Sequence, residues 1–159
     1  MKRQTLARAG ASDNSSADAW RVRSLRVLVV DDNALFRSEL TSFLGELGVL
    51  VVGSAATGAE ALDMARSLEP DLVLMDLELP VMNGLEATRR LRSGPRAPVV
   101  IIVSIYDDPH NVSASAQAGA ACLVGKSTLV DGLPAALGRV CAERTVISPG
   151  RDATSPPQT

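Results

Sequence analysis

Residues 71–84 read Asp-Leu-Val-Leu-Met-Asp-Leu-Glu-Leu-Pro-Val-Met-Asn-Gly. Four apolar residues in succession, Leu72–Met75, with no polar alternation, are the pattern of a strand covered on both faces. The run stops at Asp76. Pro80 ends strand pairing and opens a loop, and Asn83-Gly84 reads as a flexible turn before the next helix. Asn83 and Glu86 also have capping-box spacing, with Asn in place of the usual Ser or Thr. A buried strand that ends on a carboxylate and hands over to a helix is one step of a β–α–β unit.

The same step repeats on both sides. Short apolar runs recur at Leu25–Val30, Val49–Val52, Val99–Val103 and Ala121–Val124. Helix-period segments separate them. Phe36, Leu40, Phe43, Leu44 and Leu47 share one face, as do Ala61, Met64, Ala65 and Leu68, and then Leu133, Ala136, Leu137, Val140 and Cys141. Thr57 with Glu60 forms a second capping box. Asp108 caps ahead of Pro109, and Asp131 is expected to cap the last helix. Five strands alternating with five helices predict an α/β doubly wound fold, a five-stranded parallel sheet with helices on both faces. Periodicity alone leaves strand order open; for a chain of this size the flavodoxin-like (βα)5 order 2-1-3-4-5 leads.

The 159 residues carry 46% apolar and 21% charged side chains and a net charge of −2. That composition excludes wholesale disorder. No apolar run approaches the roughly 18 to 20 residues that span a bilayer, so no membrane partner is expected. Residues 1–24 hold Lys2, Arg3, Arg8, Arg21 and Arg23 against Asp13 and Asp18, a balance of +3, which leaves −5 for the remainder. We read 1–24 as a disordered basic arm without a signal-peptide core, 25–148 as the folded domain, and 149–159 as a disordered tail. Trp20 sits just outside the core. Cys122 and Cys141 lack CxxC spacing and read as reduced thiols in a cytoplasmic protein. His110 is expected exposed at a helix start.

The residues at the strand ends carry the chemistry. The first strand ends in Asp31-Asp32, the third in Asp76, the fourth in Ser104 and the fifth in Lys126. In an open α/β sheet the carboxyl edge binds ligands, at the point where strand order reverses. One such Asp is ordinarily a turn residue or a cap; the reading rests on all five occurring in order on one predicted edge. Three clustered carboxylates repel unless a cation neutralises them, and an all-oxygen set favours a hard ion such as Mg²⁺. With a lysine and a hydroxyl beside them, these parts suit phosphoryl transfer to a carboxylate.

With those residues in place, the chain resembles the receiver domain of bacterial response regulators, the acceptor half of two-component signalling. The matching segments are Arg26–Asp32, Asp71–Gly84, Val99–Ser104 and Gly119–Lys126. The resemblance implies that Asp76 is the phosphoacceptor. Asp32 would ligate Mg²⁺ directly, Asp31 mainly through water, and the Glu78 backbone carbonyl would be a further ligand beside Asp76. Lys126 would pair with phosphoryl oxygens, and Ser104 would swing toward the phosphoryl group. The donor would be a sensor histidine kinase or a phosphotransfer protein. Output would leave through the fourth helix, fifth strand and fifth helix, roughly residues 108–143, to a partner or a second copy in a homodimer. Asn111–Ala118, rich in Ala and Ser, suits a loosely held element. No independent substrate pocket or general acid is apparent, so turnover of a metabolite is not expected.

Three positions depart from the family pattern. Leu123 stands where an aromatic usually rotates. Ile105 stands where a small residue usually follows the hydroxyl, and it could slow exchange with bulky donors. Ser127 stands where proline often follows the lysine, which predicts a trans peptide there. Non-proline residues at that place, and the ending Leu133–Pro149, resemble the LuxR-type helix-turn-helix subfamily. Two other functions therefore stand beside the first: a phosphorylation-independent docking module, and the receiver fragment of a DNA-binding regulator. The chain itself shows no helix-turn-helix, so nucleic-acid binding by it alone is not expected. Gly125-Lys126-Ser127 is not a P-loop, because Ala120 stands where its first glycine is required. Gly53 and Gly58 have glycine spacing but lead into Ala59-Glu60. Arg89, Arg90 and Arg92 read as a solvated helix face.

Overall fold

The computed structural model describes residues 25–147. The expected arm at 1–24, Trp20 and the expected tail at 149–159 lie outside the described residues. The strands are β1 (Arg26–Val30), β2 (Leu50–Ala55), β3 (Leu72–Asp76), β4 (Val99–Ser104) and β5 (Cys122–Gly125). The helices are α1 (Ala34–Glu46), α2 (Gly58–Leu68), α3 (Gly84–Arg92), α4 (Pro109–Ala118) and α5 (Leu129–Ile147). All strand pairs are parallel and the order is β2-β1-β3-β4-β5, the flavodoxin-like arrangement expected from the sequence.

The sheet sorts its side chains by parity. Val27, Val29, Leu72, Leu74, Ile101 and Val103 face one core half, which α1 closes with Leu40 and Leu44 and α5 with Leu133, Leu137 and Val140. Leu28, Val30, Val73, Met75, Val100 and Ile102 face the other, closed by Ala61 of α2 and by Ala87 and Leu91 of α3. Every residue of β3 is buried, as its unbroken apolar run demands. Complete burial of each such Val, Leu or Ile is worth about 1.5–3 kcal/mol.

Helix starts follow the caps read from sequence. Thr57 Oγ1 accepts from the Glu60 N–H at 3.1 Å, Asn83 Oδ1 from the Glu86 N–H at 2.9 Å, and Asp108 Oδ1 from the Asn111 N–H at 3.1 Å. Asp131 does not cap α5. The chain passes from β5 into a 3-10 turn at Lys126–Thr128 and straight on into α5 at Leu129, which leaves Asp131 inside the first helical turn. The Thr128 hydroxyl donates to the Gly125 carbonyl at 3.3 Å and helps close that turn.

Two further local details depart from expectation. β2 runs on to Ala55, past its last valine, because backbone pairing with β1 continues through Gly53 and Ser54. A Cβ at Gly53 would stand 2.6 Å from Met64 Cε, the far end of a flexible side chain that would have to move aside. Gly84 is not a flexible turn residue. It is the first residue of α3, its N–H donates to the Leu77 carbonyl at 2.8 Å, and a Cβ there would overlap the Asp76 carbonyl. The turn strain falls instead on Val81, a fully exposed residue at φ 68°.

Candidate functional site

Strand register assembles the site. Val30 pairs with Met75, so the next residues, Asp31 and Asp76, emerge level from the two central strands. Asp76 pairs with Val103 and Ser104 with Gly125, which brings Ser104 and the following Lys126 to the same edge. One carboxylate oxygen from each of Asp31, Asp32 and Asp76 lies within 4.8 Å of the others. Asp31 and Asp76 are buried, at 1% and 6% exposure, whereas Asp32 is exposed.

Asp31 anchors the cluster. Its N–H donates to the Ala55 carbonyl at 3.1 Å, and its Oδ1 accepts from the Asn33 N–H at 2.8 Å. Its carbonyl accepts from Arg37 Nη1 at 2.6 Å, and its Oδ2 accepts from Lys126 Nζ at 2.7 Å. Lys126 Nζ also stands 3.7 Å from Asp76 Oδ1 and 4.1 Å from the centre of the Phe36 ring, whose face favours a cation. Ser104 is buried, and its Oγ accepts from the Tyr106 N–H at 3.0 Å.

Among the described residues, three carboxylates face a single ammonium. Burial, and then the neighbouring Asp31 carboxylate, push Asp76 from its ordinary 3.8 up to about 6. Lys126 and a backbone hydrogen bond from Glu78 pull in the other direction, and Asp32 adds to the rise. The surplus negative charge and the all-oxygen donors, two of them on buried carboxylates, fit a hard divalent cation. Mg²⁺ coordinates such oxygens and keeps waters besides.

The response regulator receiver domain family matches this sequence over residues 27–137. The chain belongs to the response regulator receiver family. The response regulator GacA of Pseudomonas aeruginosa is 42% identical to this receiver over 127 residues, which is 79% of this chain and 59% of GacA. This receiver thus spans less than two thirds of that relative's length. Among solved structures, a LuxR-family two-component response regulator from Aurantimonas sp. SI85-9A1 superposes with a TM-score of 0.71 at 32% identity. The match covers 75% of this chain and 86% of that one. The response regulator domain of Thermotoga maritima CheB superposes with a TM-score of 0.68 at 28% identity, over 74% and 96% of the two chains.

The receiver brings together every side chain that the sequence singled out at the carboxyl edge, and Glu78 lies exposed two residues beyond Asp76. The departures have distinct settings. Ile105 is 65% exposed beside Ser104, whereas Leu123 is half-buried and packs against the core half under α2 and α3. Peptide bonds among the described residues are all trans, the Lys126–Ser127 bond included. His110 is exposed near the start of α4, and Arg89, Arg90 and Arg92 are exposed. Cys122 is half-buried and Cys141 is buried, and burial pushes the Cys122 thiol up.

Sequence reasoning missed the supports. Arg37 and Asn33 hold Asp31, Phe36 lies under Lys126, and Asp107 lies against Gly125 so closely that a Cβ there would overlap it. Only Asn33 had a readable signal, an Asn two residues past a buried Asp and one before a helix; its Oδ1 accepts from the Phe36 N–H at 3.0 Å.

Proposed function

We propose that this receiver accepts a phosphoryl group on Asp76 in a Mg²⁺-dependent step and changes conformation to control an output partner. The observation that carries the proposal is the level placement of Asp31, Asp32 and Asp76 with Lys126 Nζ between Asp31 and Asp76. An Asp76 carboxylate oxygen attacks phosphorus. The P–N bond of a phosphohistidine breaks as the O–P bond forms, and the departing imidazole nitrogen keeps its electron pair and takes a proton. Asp31, Asp32, Asp76 and the Glu78 carbonyl would hold Mg²⁺, which supplies charge neutralisation for the carboxylates and the transferring group. Lys126 is placed to leave Asp31 for a phosphoryl oxygen. Ser104 Oγ accepts from the Tyr106 N–H and keeps its own O–H to donate, so a move of Ser104 toward the phosphoryl group would be felt in the β4–α4 loop.

On this reading the donor is a sensor histidine kinase or a phosphotransfer protein in the cytoplasm. The face of α4, β5 and α5 carries the output, either to a partner or in a homodimer. The chemistry is confined to the receiver's own modification and hydrolysis. Intact mass after incubation with acetyl phosphate and Mg²⁺ tests it. One phosphoryl group is expected on the wild type, and none on Asp76→Asn or with chelator.

Leu123 favours a second reading, a docking module that works without phosphorylation, because leucine has no ring hydroxyl to swing. It predicts partner binding unchanged by Asp76→Asn and no response to beryllofluoride.

A further inference from the structure

The basic run on α3 is not spent on the phosphoryl site. Helices that connect parallel strands run back along the sheet, so the C-terminal ends of α2 and α3 lie at its amino edge, opposite the aspartates. A groove of about 610 Å³ opens there between the two helices and the loop before β4. Its floor is apolar, with Leu62, Ala65, Leu91 and Pro98. Its rim holds three guanidinium groups, Arg66, Arg90 and Arg96, against one carboxylate, Glu69. The volume is that of an ordinary ligand cleft.

The arginines are exposed but held. Arg96 Nη1 donates to both Glu69 oxygens at 2.9 and 3.1 Å, Arg90 Nε to Glu86 at 3.0 Å, and Arg66 Nη1 to Asp63 at 3.3 Å. Asp63 and Glu86 balance Arg66 and Arg90, but Arg89 and Arg92 share the last turn of α3, so five arginines stand against three carboxylates around the groove, a local charge of +2. Arg66 and Arg90 also offset the negative ends of their helices. Arg96 does not, because it lies in the loop.

From this apolar floor under a cationic rim, we propose that the groove binds an acidic partner segment that inserts one or two apolar side chains between flanking carboxylates. Charge chooses among occupants. The chain's own residues 1–24 carry +3 and would meet like charge. A second copy placed face to face would set three arginines against three. A foreign acidic segment gains from both rim and floor, and its anchors bury where water is displaced. The groove shares no residue with the aspartate site, so docking uses none of the groups that hold the phosphoryl group.

Isotope-labelled chain of residues 1–159 titrated with the peptide acetyl-Glu-Asp-Leu-Glu-Phe-Leu-Asp-Glu-amide, and with its counterpart carrying Lys at every acidic position, tests the proposal. The acidic peptide is expected to shift amide signals of residues 62–69 and 90–98, and to bind at least tenfold more weakly at 0.5 M salt than at 0.05 M. The Lys peptide is expected not to bind. Arg66→Glu with Arg90→Glu, both at exposed positions, should reverse the preference, and Asp76→Asn should leave it unchanged. Equal binding of both peptides, shifts centred elsewhere, or no binding at millimolar peptide would overturn it. So would groove signals that move on Trp20→Ala without peptide, because the chain's own arm would then be the occupant.

Discussion

Asp76 concentrates the electrostatics of the receiver. In the folded, metal-free chain its pKa is raised to about 6, against about 3.9 unfolded. Between pH 4 and 6 the folded state therefore binds more protons than the unfolded one, and stability falls as pH rises through that window. Above it the whole cost is present, on the order of 2–3 kcal/mol for a shift of this size. Asp76→Asn removes the cost. In EDTA its melting temperature should exceed that of the wild type at pH 7.5, and the two should converge below pH 4. Equal melting temperatures at pH 7.5 would show that Asp76 carries no such penalty. Gly84 is the steric counterpart: Gly84→Ala forces a methyl group onto the Asp76 carbonyl, and overpacking of this kind costs about 1–3 kcal/mol. Chemical denaturation should show that loss, together with slower phosphorylation, since the displaced backbone is that of the acceptor. Little at this scale was legible beforehand. The aspartates, Ser104 and Lys126 could be read because each follows an apolar run. Arg37, Phe36 and Asp107 could not, since their roles arise only when separate segments meet.

At the scale of elements, the helices differ in how firmly they are held. α4 buries only Ser115 and Ala118, both small, and the buried Ser115 hydroxyl has no hydrogen-bond partner among the described residues. An orphaned hydroxyl costs about 1–3 kcal/mol. Ser115→Ala should therefore stabilise the receiver by roughly 1 kcal/mol in a urea titration, and a loss of stability would show that the hydroxyl has a partner in solution. Thr57 is the opposite case. Its side chain caps α2 in a capping arrangement completed by Glu60, whose Oε2 accepts from the Ala56 N–H at 3.3 Å. Thr57→Ala should cost about 1 kcal/mol. Caps of this kind were legible because they are short local patterns. The start of α5 was not, because its 3-10 entrance depends on how β5 leaves the sheet rather than on the Asp at 131.

For the whole molecule, strand count, parallel direction and the edge that carries the chemistry were all readable from the alternation of apolar runs with helix-period segments. Strand order was not, since periodicity holds no information about neighbours; the order 2-1-3-4-5 is the leading candidate for a chain of this size, and the paired backbone has it. The amino edge went unread for a related reason. Its groove joins residues of α2 with the loop at 94–98, more than twenty positions later. Under the proposed function, Mg²⁺ binds only the assembled edge, so the ion adds stability by mass action. At one hundred times its dissociation constant the gain is about 2.7 kcal/mol. Thermal melts with and without Mg²⁺ should show the rise in the wild type and a smaller one in Asp32→Ala.

The parity of the sheet also bears on inheritance. Because odd and even strand positions feed separate apolar halves, a lesion at Val27 or Ile101 leaves a void that only α1 or α5 can fill, and one at Leu28 or Ile102 a void for α2 or α3. Second-site revertants of strand mutants should therefore segregate into two non-overlapping groups, so that a genetic cross alone could report which side of the wall a residue faces.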